Sequence, residues 1–310
     1  MPDTEQSAPK SADSAGDADD KPVDAAALAA RYGLVQSTAR PSLTSYVKQL
    51  WQRRQFILAY SAARKAQTYS STWLGQIWQV LTPLMQAAVY YAVFGLLLRL
   101  SRGIEDYPAF LVTGVFVFTF MQRSMNNGAK SISGNLQMIR ALHFPRAVLP
   151  LSFVLVEFQQ LLVSMVVLFG FVLAVGVPIS VTWLLVVPAM LLQMLFNMGL
   201  SLVMARIGAT SSDINQLLPF ITRVWFYLSG VFFEMTRYIK NLPDVLQTVL
   251  VLNPGAVFLD LYRGVLIDSH RPLELPWGLN VWQVSTAWAV VFFIGGFIFF
   301  WRREERYGRG

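Results

Sequence analysis

Six long apolar stretches constrain the fold of this chain more than any other feature of its sequence. A helix needs about 20 mostly apolar residues to cross the hydrocarbon core of a bilayer. Charged residues make up only 14% of the chain, and hydrophobic residues make up 55%, whereas a soluble domain carries about 25% charge. We therefore predict an all-α integral membrane protein with six transmembrane helices, at about residues 77–99, 107–127, 149–175, 181–205, 217–233 and 280–301.

The basic residues beside these stretches predict the orientation of the chain. Cytoplasmic loops carry an excess of Lys and Arg, and such an excess occurs before the first stretch, between the second and third, and after the sixth. The alternate loops lack it. We therefore predict a multi-pass protein of the plasma membrane with both termini in the cytoplasm. The cations that support this are Lys48, Arg53, Arg54, Arg64, Lys65, Lys130, Arg140, Arg146, Arg302, Arg303, Arg306 and Arg309.

The first 40 residues differ from the rest. They are rich in Ala, Ser, Asp and Pro and show no apolar periodicity, so they cannot bury enough surface to offset the entropy lost on ordering. We predict a disordered acidic cytoplasmic tail at 1–40, without a signal peptide, followed by a transmembrane domain at 41–310.

Two further segments are predicted to lie at the membrane surface. Residues 42–65 place apolar side chains on one helical stripe and arginines on other faces, which is typical of a helix in the inner interface; a helix that binds a soluble partner is the alternative. Between the fifth and sixth spans, VLQTVLVL (245–252) and AVFLDLYRGVLI (256–267) are too short to cross. We predict two re-entrant helices there, on the outer side.

The sequence offers little that could carry catalysis. It has no Cys, which excludes disulfides, thiolate chemistry and a zinc site built on cysteines. It has no G-x-x-x-x-G-K-[ST] motif, so it cannot cradle a nucleotide in a P-loop. His143 and His270 are predicted on opposite sides of the membrane, which excludes a metal site built on histidines. The basic charge lies beside the spans, so we expect it to face lipid and not nucleic acid. We predict no catalytic residue, no metal and no cofactor bound by this chain.

Ionisable residues inside the spans are candidates for function, because they are costly in lipid. Glu157 in the third span and Arg223 in the fifth lie at similar depth, roughly 10 Å from the cytoplasmic end by helical rise. We predict a Glu157–Arg223 pair that fixes one span against the other, with Arg123 as the alternative partner. Snorkelling to the inner interface is the competing interpretation.

Aromatic residues are abundant in the first, second and fifth spans. Their ring faces can stack on sugars, and Tyr and Trp can also hydrogen-bond hydroxyl groups. A passage for a glycan is one interpretation, and a lipid-facing belt or ordinary packing is the other. The candidates are Tyr90, Tyr91, Phe94, Phe116, Trp225, Tyr227, Phe232 and Phe233.

The segment MIRALHFPRAVLP (138–150) is a short basic piece between the second and third spans. Met138, Ile139 and Leu142 have helical spacing, and Pro145 ends the turn. We predict a short cytoplasmic helix with part of its surface free for a soluble partner. An ordinary basic loop is the alternative.

Several motifs together resemble the transmembrane subunits of ABC exporters for lipid-linked polysaccharides, the ABC-2 permeases for O-antigen, teichoic acid and galactan. The resemblance runs from about residue 45 to residue 301, with departures at Ser212-Asp213 and Ser229-Gly230, where the family often has Arg-Asp and Ser-Pro. The C-terminal RREERYGRG is similar to that of actinobacterial galactan exporters. The matching runs are TYSSTWLGQIWQVLTPLMQAAVYYAVFG (68–95), YPAFLVTGVF (107–116), FPRAVLPLS (144–152) and Asn253-Pro254 with Arg263 beyond it.

The resemblance implies a permease that moves a polyprenyl-diphosphate-linked polysaccharide, expected to be galactan, to the outer face. It implies a homodimer that works with two copies of a cytoplasmic ATPase, which would bind ATP and Mg²⁺. Arg53, Arg54, Arg64 and Lys65 would attract the lipid diphosphate at the inner headgroup level. The coupling helix seated on the ATPase would comprise Asn135, Arg140, His143, Phe144, Pro145 and Arg146.

Two other functions are compatible with parts of the sequence. An ABC-2 exporter of drugs or lipids would have the same composition. A membrane enzyme of glycan assembly would need several acids at the membrane face, where Asp213 is the only cytoplasmic candidate besides Glu304 and Glu305.

Overall fold

Helices account for all of the regular structure that the computed structural model describes. It describes residues 42–69, 75, 77–100, 103–142, 144–211 and 213–307, and no strand occurs in these ranges. The predicted all-α fold is therefore confirmed. The predicted tail at 1–40 and His143 lie outside the described residues.

Twelve α-helices follow one another along these ranges. The third continues as a π-helix over Tyr91–Leu97, and a 3-10 helix, Val181–Leu185, leads into the seventh. These extensions give both helices more length than their α-helical parts alone. The helices are α1 (Leu43–Gln52), α2 (Arg54–Tyr69), α3 (Ile77–Tyr90), α4 (Tyr107–Ser133), α5 (Leu136–Ala141), α6 (Val148–Ala174), α7 (Val186–Thr210), α8 (Ile214–Leu228), α9 (Met235–Tyr238), α10 (Asp244–Val251), α11 (Pro254–Leu266) and α12 (Val281–Trp301).

Four helical segments in the described part of the chain are long and apolar enough to cross a membrane. They are Val80–Leu97, Val148–Ala174, Val181–Thr210 and Val281–Trp301. α10 and α11 would add a fifth if they were one span, but they are bent by 60° at their junction. The chain is thus a multi-pass membrane protein, and the predicted count of six spans is not confirmed.

The second and fifth predicted spans fall short for different reasons. α4 has 27 residues, but Gln122, Arg123, Asn126, Asn127 and Lys130 make its second half polar. α8 has only 15 residues, about 22 Å at the rise of a helix, against a hydrocarbon core of about 30 Å. Hydropathy alone therefore does not identify either helix as a full span.

α7 lies at the centre of the packed helices and packs most extensively against α12 and α4. Small residues allow this, because two backbones approach closely where no side chain stands between them. Gly199 faces the backbone of Phe292, Gly296 faces Gly199, and Gly208 faces the backbone of Ala129. A side chain at any of these glycines would collide with the neighbouring helix.

The two predicted surface segments are present as short helices. In α1 the side chain of Tyr46 is buried, while Leu43, Val47 and Trp51 are exposed, which suits a helix lying in the interface. α11 is buried along most of its length, whereas α10 leaves apolar residues such as Val245 exposed. In the α10–α11 pair, α11 is therefore packed inside the protein and α10 lies on its surface.

Candidate functional site

The segment 135–146 begins with a helix of six residues, α5, held against two longer helices. The Tyr60 hydroxyl of α2 donates to Asn135 Oδ1 at 3.0 Å, and Asn135 Nδ2 donates to the Ser131 carbonyl of α4 at 2.8 Å. Ile139 is buried beneath the helix, and Arg140 is exposed. The segment is therefore fixed at its start and presents a basic outer side.

Phe144 and Pro145, near the end of this segment, face the protein more than the solvent. The ring of Phe144 lies 5.8 Å from that of Phe56 on α2, and Pro145 is buried. Phe144 and Pro145 therefore pack the segment, while Arg140 remains the accessible basic residue. Leu142, at 51% exposure, is the apolar residue beside it.

Arg146 at the base of α6 meets a buried carboxylate from the end of the chain. Its backbone N–H donates to Glu304 Oε1 at 2.8 Å, and its guanidinium Nη1 donates to the Glu304 carbonyl oxygen. The Tyr46 hydroxyl donates to Glu304 Oε2 at 2.9 Å and accepts from the Ala147 N–H at 3.1 Å. We call Tyr46, Arg146 and Glu304 the Glu304 cluster; it joins α1, α6 and the residues after α12.

Burial dominates the electrostatics of this cluster. It raises the pKa of the Glu304 carboxyl to about 7, because the hydrogen bonds from Arg146 and Tyr46 only partly offset the loss of hydration. The sequence analysis counted Glu304 only as an acid among terminal arginines. Its partners are distant in sequence, so no local pattern indicated them.

The four basic residues predicted to attract a lipid diphosphate lie on or next to α1 and α2. Arg53 and Arg54 are exposed, and the guanidinium of Arg54 lies 5.2 Å from the centre of the Trp51 ring. Arg64 lies over the Phe153 ring at 4.6 Å, and Lys65 is half-buried. Their binding of a diphosphate stays a prediction.

The predicted Glu157–Arg223 pair is wrong. Glu157 Oε1 accepts from Asn127 Nδ2 at 2.7 Å, and its charged neighbour is Arg123, whose Nη1 donates to Gln160 Oε1 at 2.6 Å. The reason is packing, since α6 and α8 both pack against α4 and make little contact with each other. Arg223 is exposed on α8.

Asn127 and Gln160 were missed by the sequence analysis, although a signal was present. Asn127 follows Arg123 by four residues and Gln160 follows Glu157 by three, so each polar pair lies on one helical face. Arg123, Glu157 and Gln160 line a small cavity between α3, α4 and α6, of about 10 Å³. This is about the volume that one water molecule requires.

Five aromatic rings from α3, α8 and the turn after α8 form one packed cluster. Phe232 is stacked on Phe94 at 4.3 Å between ring centres, and meets Tyr90 at 4.9 Å, Phe226 at 5.1 Å and Tyr227 at 5.5 Å. The structure thus brings together four of the eight predicted aromatics. Phe232 is only 2% exposed, so it offers no ring face to a glycan.

The other predicted aromatics lie apart from this cluster or at its edge. Phe116 is 2% exposed and, like Phe232, is a core residue and not a channel residue. The indole N–H of Trp225 donates to Asn253 Oδ1 at 2.6 Å. Tyr91 lies near Tyr107, and Phe233 lies near Tyr238. The accessible rings are therefore those of Tyr90, Tyr91, Phe94, Trp225, Tyr227 and Phe233.

A second buried charge lies at the other end of the molecule, in α11. Arg263 donates to the carbonyl oxygens of Phe110 at 3.2 Å, Gly230 at 3.0 Å and Val231 at 2.9 Å. Gly230 has a φ of +69°, a conformation that favours glycine. Arg263 therefore fixes the turn after α8 against α4 and α11.

A carboxylate and a histidine lie close to Arg263 in the chain and contact each other. His270 Nε2 lies 2.6 Å from Asp260 Oδ1, and Asp260 Oδ2 accepts from the Leu273 N–H at 3.0 Å. The two residues tie the segment after α11 back onto that helix. They act as a structural clamp, and the sequence analysis did not identify it because it considered His270 only as a metal ligand.

Comparison with known proteins assigns the family. The ABC-2 type transporter family matches residues 55–267, which is more than half of the 310 residues. That range begins in α2 and ends directly after α11. It therefore contains the segment 135–146, Arg123, Glu157 and Arg263.

Three relatives are named for polysaccharide export. The chain is 27% identical to the O-antigen export system permease protein RfbA of Klebsiella pneumoniae, over 66% of this chain and 78% of that protein. It is 24% identical to RfbA of Myxococcus xanthus, over 84% and 96%. It is 25% identical to the capsule polysaccharide export inner-membrane protein CtrC of Neisseria meningitidis, over 76% and 88%.

These matches confirm the resemblance that the motifs carry, although none of the three names mentions galactan. They also agree with the helical membrane fold and with a permease role. The chain belongs to the ABC-2 type transporter family.

Proposed function

We propose that the chain is the membrane subunit of an ATP-driven exporter that moves a polyprenyl-diphosphate-linked polysaccharide, a galactan, from the inner to the outer face of the plasma membrane. Similarity to O-antigen and capsule export permeases over most of the chain supports the substrate class. Two copies would assemble with two copies of a separate ATPase that binds ATP and Mg²⁺, and both termini would be cytoplasmic.

The arrangement of segment 135–146 is the structural observation that carries this proposal. Its start is anchored through Asn135 and its end through Phe144 and Pro145, while Arg140 and Leu142 stay exposed between them. A short segment fixed at both ends can transmit a push from a docked partner, because it cannot simply slide along the protein surface. This is what coupling to an ATPase requires.

The Glu304 cluster connects the segment 135–146 to α1. Arg146 ends the proposed coupling segment and contacts Glu304, which also holds Tyr46 of α1. A displacement of the segment would therefore reach the basic residues of α1 and α2, Arg53, Arg54, Arg64 and Lys65, which we propose attract the lipid diphosphate. The accessible aromatic rings of α3 and α8 would then contact the sugars.

Depletion of the protein in its own host, with labelling of lipid-linked glycans over time, tests the function. We expect long polyprenyl-linked polymer to accumulate inside while the cell wall loses it. Arrest of synthesis at a short intermediate would instead favour a glycan-assembly enzyme. Unchanged glycan pools would reject the proposal in favour of a drug or lipid exporter.

Complementation of the depleted cells tests the coupling segment. Arg140→Glu should fail to restore export, because it reverses the charge at the accessible point of the segment. Lys48→Glu, a reversal at an exposed residue of α1, is the matched control and should restore it. Equal rescue by both variants would remove Arg140 from the coupling surface.

A further inference from the structure

An apolar cavity of about 330 Å³ lies beside the first half of α12, at the end that the sequence predicts to be outside. Cavities of roughly 300 Å³ and more are in the size range of ligand sites. Its walls come from the α10–α11 junction, the loop before α12 and α12 itself. The lining residues are Leu252, Trp277, Leu279, Gln283, Val284, Ala287, Trp288 and Val291.

Two polar side chains of the wall already have partners within the protein. Trp288 Nε1 donates to the Leu252 carbonyl at 2.8 Å, and Gln283 Oε1 accepts from the Asn280 N–H at 3.0 Å. Most of the surface left for a ligand is therefore hydrocarbon. A sugar or a phosphate would lose hydration there without gaining hydrogen bonds.

The cavity is continuous with the lipid-facing side of α12. That helix is one of the four candidate spans, and its residues Val290, Val291 and Ile294 are 41%, 60% and 53% exposed. Val291 belongs both to this face and to the cavity wall. Lipid chains that cover the face therefore have direct access to the cavity.

Trp277 at the rim indicates where the cavity lies relative to the headgroups. Its side chain is 79% exposed, and tryptophan is enriched where hydrocarbon meets headgroups. Its backbone has a φ of +59°, a conformation that a residue other than glycine keeps only when its surroundings hold it there. The loop thus places an indole at the mouth of the cavity.

We propose that this cavity binds one acyl chain of a phospholipid. The chain would fill the space between α12 and the α10–α11 junction at Leu252, with the headgroup beside Trp277. Phospholipid is the occupant because the cavity opens onto the bilayer-facing surface of α12. The site is independent of the proposed transport function, since it requires only that α12 spans the membrane.

A phosphatidylethanolamine with a diazirine in its acyl chain provides the test. The intact protein in nanodiscs containing this lipid is irradiated, and labelled residues are located by mass spectrometry. We expect residues 277–291 to be labelled about tenfold more than the exposed face of α6 around Val166, as for a site favoured over bulk contact by about 1.4 kcal/mol.

Variants that fill the cavity make the test specific. Ala287→Trp should abolish the excess labelling of 277–291, whereas Val166→Trp, at a residue 71% exposed on α6, should leave it unchanged. If Ala287→Trp does not fold, Val291→Trp at the rim replaces it, because an exposed residue tolerates a larger side chain.

Three results would overturn the proposal. Equal labelling of the two faces, or excess labelling that Ala287→Trp leaves intact, would mean bulk lipid contact only. If added polyprenyl phosphate competes with the labelling and added unlabelled phospholipid does not, the cavity binds the polyprenyl chain. Protection of the cavity by cross-linked contact with a second copy would make it a subunit interface.

Discussion

Arg263 and Glu304 are buried charged residues near opposite ends of the membrane domain, and they are held in different ways. Arg263 donates to three main-chain carbonyls, those of Phe110, Gly230 and Val231. Glu304 is held by the Tyr46 hydroxyl and by Arg146. Main-chain carbonyls bind Arg263, whereas one side-chain hydroxyl and one main-chain N–H bind the Glu304 carboxylate.

This difference implies that the contacts of Arg263 are fixed and that those of Glu304 can change. Backbone carbonyls neither titrate nor change rotamer, so Arg263 can only keep the turn after α8 in one shape. Glu304 can take up a proton, and its hydrogen-bond partners Tyr46 and Arg146 belong to two other segments of the chain. At the proposed outer end, Arg263 therefore keeps one backbone conformation. At the proposed cytoplasmic end, the hydrogen bonds of Glu304 can change with its protonation.

Replacement of Arg263 should have the largest effect. Arg263→Met would leave the buried carbonyls of Gly230 and Val231 without their Arg263 donor and would break the tie to Phe110 of α4, and we expect a loss of about 3 kcal/mol or more in the free energy of unfolding. Thermal unfolding of the purified protein in detergent measures it. The exposed Arg271→Met is the control and should stay within about 0.5 kcal/mol; equal losses would show that Arg263 is not a structural joint.

The pH dependence of stability should report on Glu304. Its pKa is about 7 in the folded protein and 4.5 in the reference state, so the folded protein binds more protons between these values. Stability should therefore fall as pH rises through this window, by on the order of 3 kcal/mol. Glu304→Gln should lack this component.

Unfolding of the wild type and of Glu304→Gln at pH 5 to 8 measures the component. Taking the difference between the two proteins removes every contribution to stability that both share. A difference that is constant with pH would show that Glu304 does not titrate in this range.

Truncation of Glu304 should have a smaller effect. Glu304→Ala would leave the Tyr46 hydroxyl and the Arg146 N–H without an acceptor, which should cost about 2 kcal/mol. Polymer exported per ATP hydrolysed should also fall, because the link between α6 and α1 is cut. The neighbouring exposed Glu305→Ala serves as the control, and an unchanged export ratio in Glu304→Ala would limit the cluster to stability.

Loss of one hydrogen bond at the start of α5 should have the smallest effect. Tyr60→Phe would remove the bond to Asn135 and lower stability by about 1 kcal/mol. Asn135→Ala should cost slightly more, since Asn135 also donates to Ser131. Chemical unfolding of the single and double variants measures this; additive losses would argue against a direct Tyr60–Asn135 interaction.

The sequence could predict what depends on local composition. Apolar runs gave the helical membrane fold, and the short runs at 245–252 and 256–267 correspond to α10 and α11. The sequence could not predict partners chosen by packing. Glu304 meets Tyr46 from the opposite end of the chain, and Glu157 meets Asn127 because α6 lies against α4.

The number of membrane spans is a second property that the sequence could not predict, because it also depends on packing. α4 combines an apolar half with a polar half that finds its partners in other helices, such as Gln122 with Thr222 and Asn127 with Glu157. A hydropathy window cannot distinguish this from a helix that ends early. Only the packed arrangement shows that Gln122 and Asn127 find hydrogen-bond partners inside the protein.

The glycine contacts between α7 and α12 have a mechanical consequence. The backbones of Gly199 and Gly296 are in direct contact, so neither helix can slide or rotate against the other without a collision. The two helices therefore behave as one rigid unit. A change of shape in the protein should therefore leave the packing of α7 on α12 unchanged, and the two helices should move as one unit.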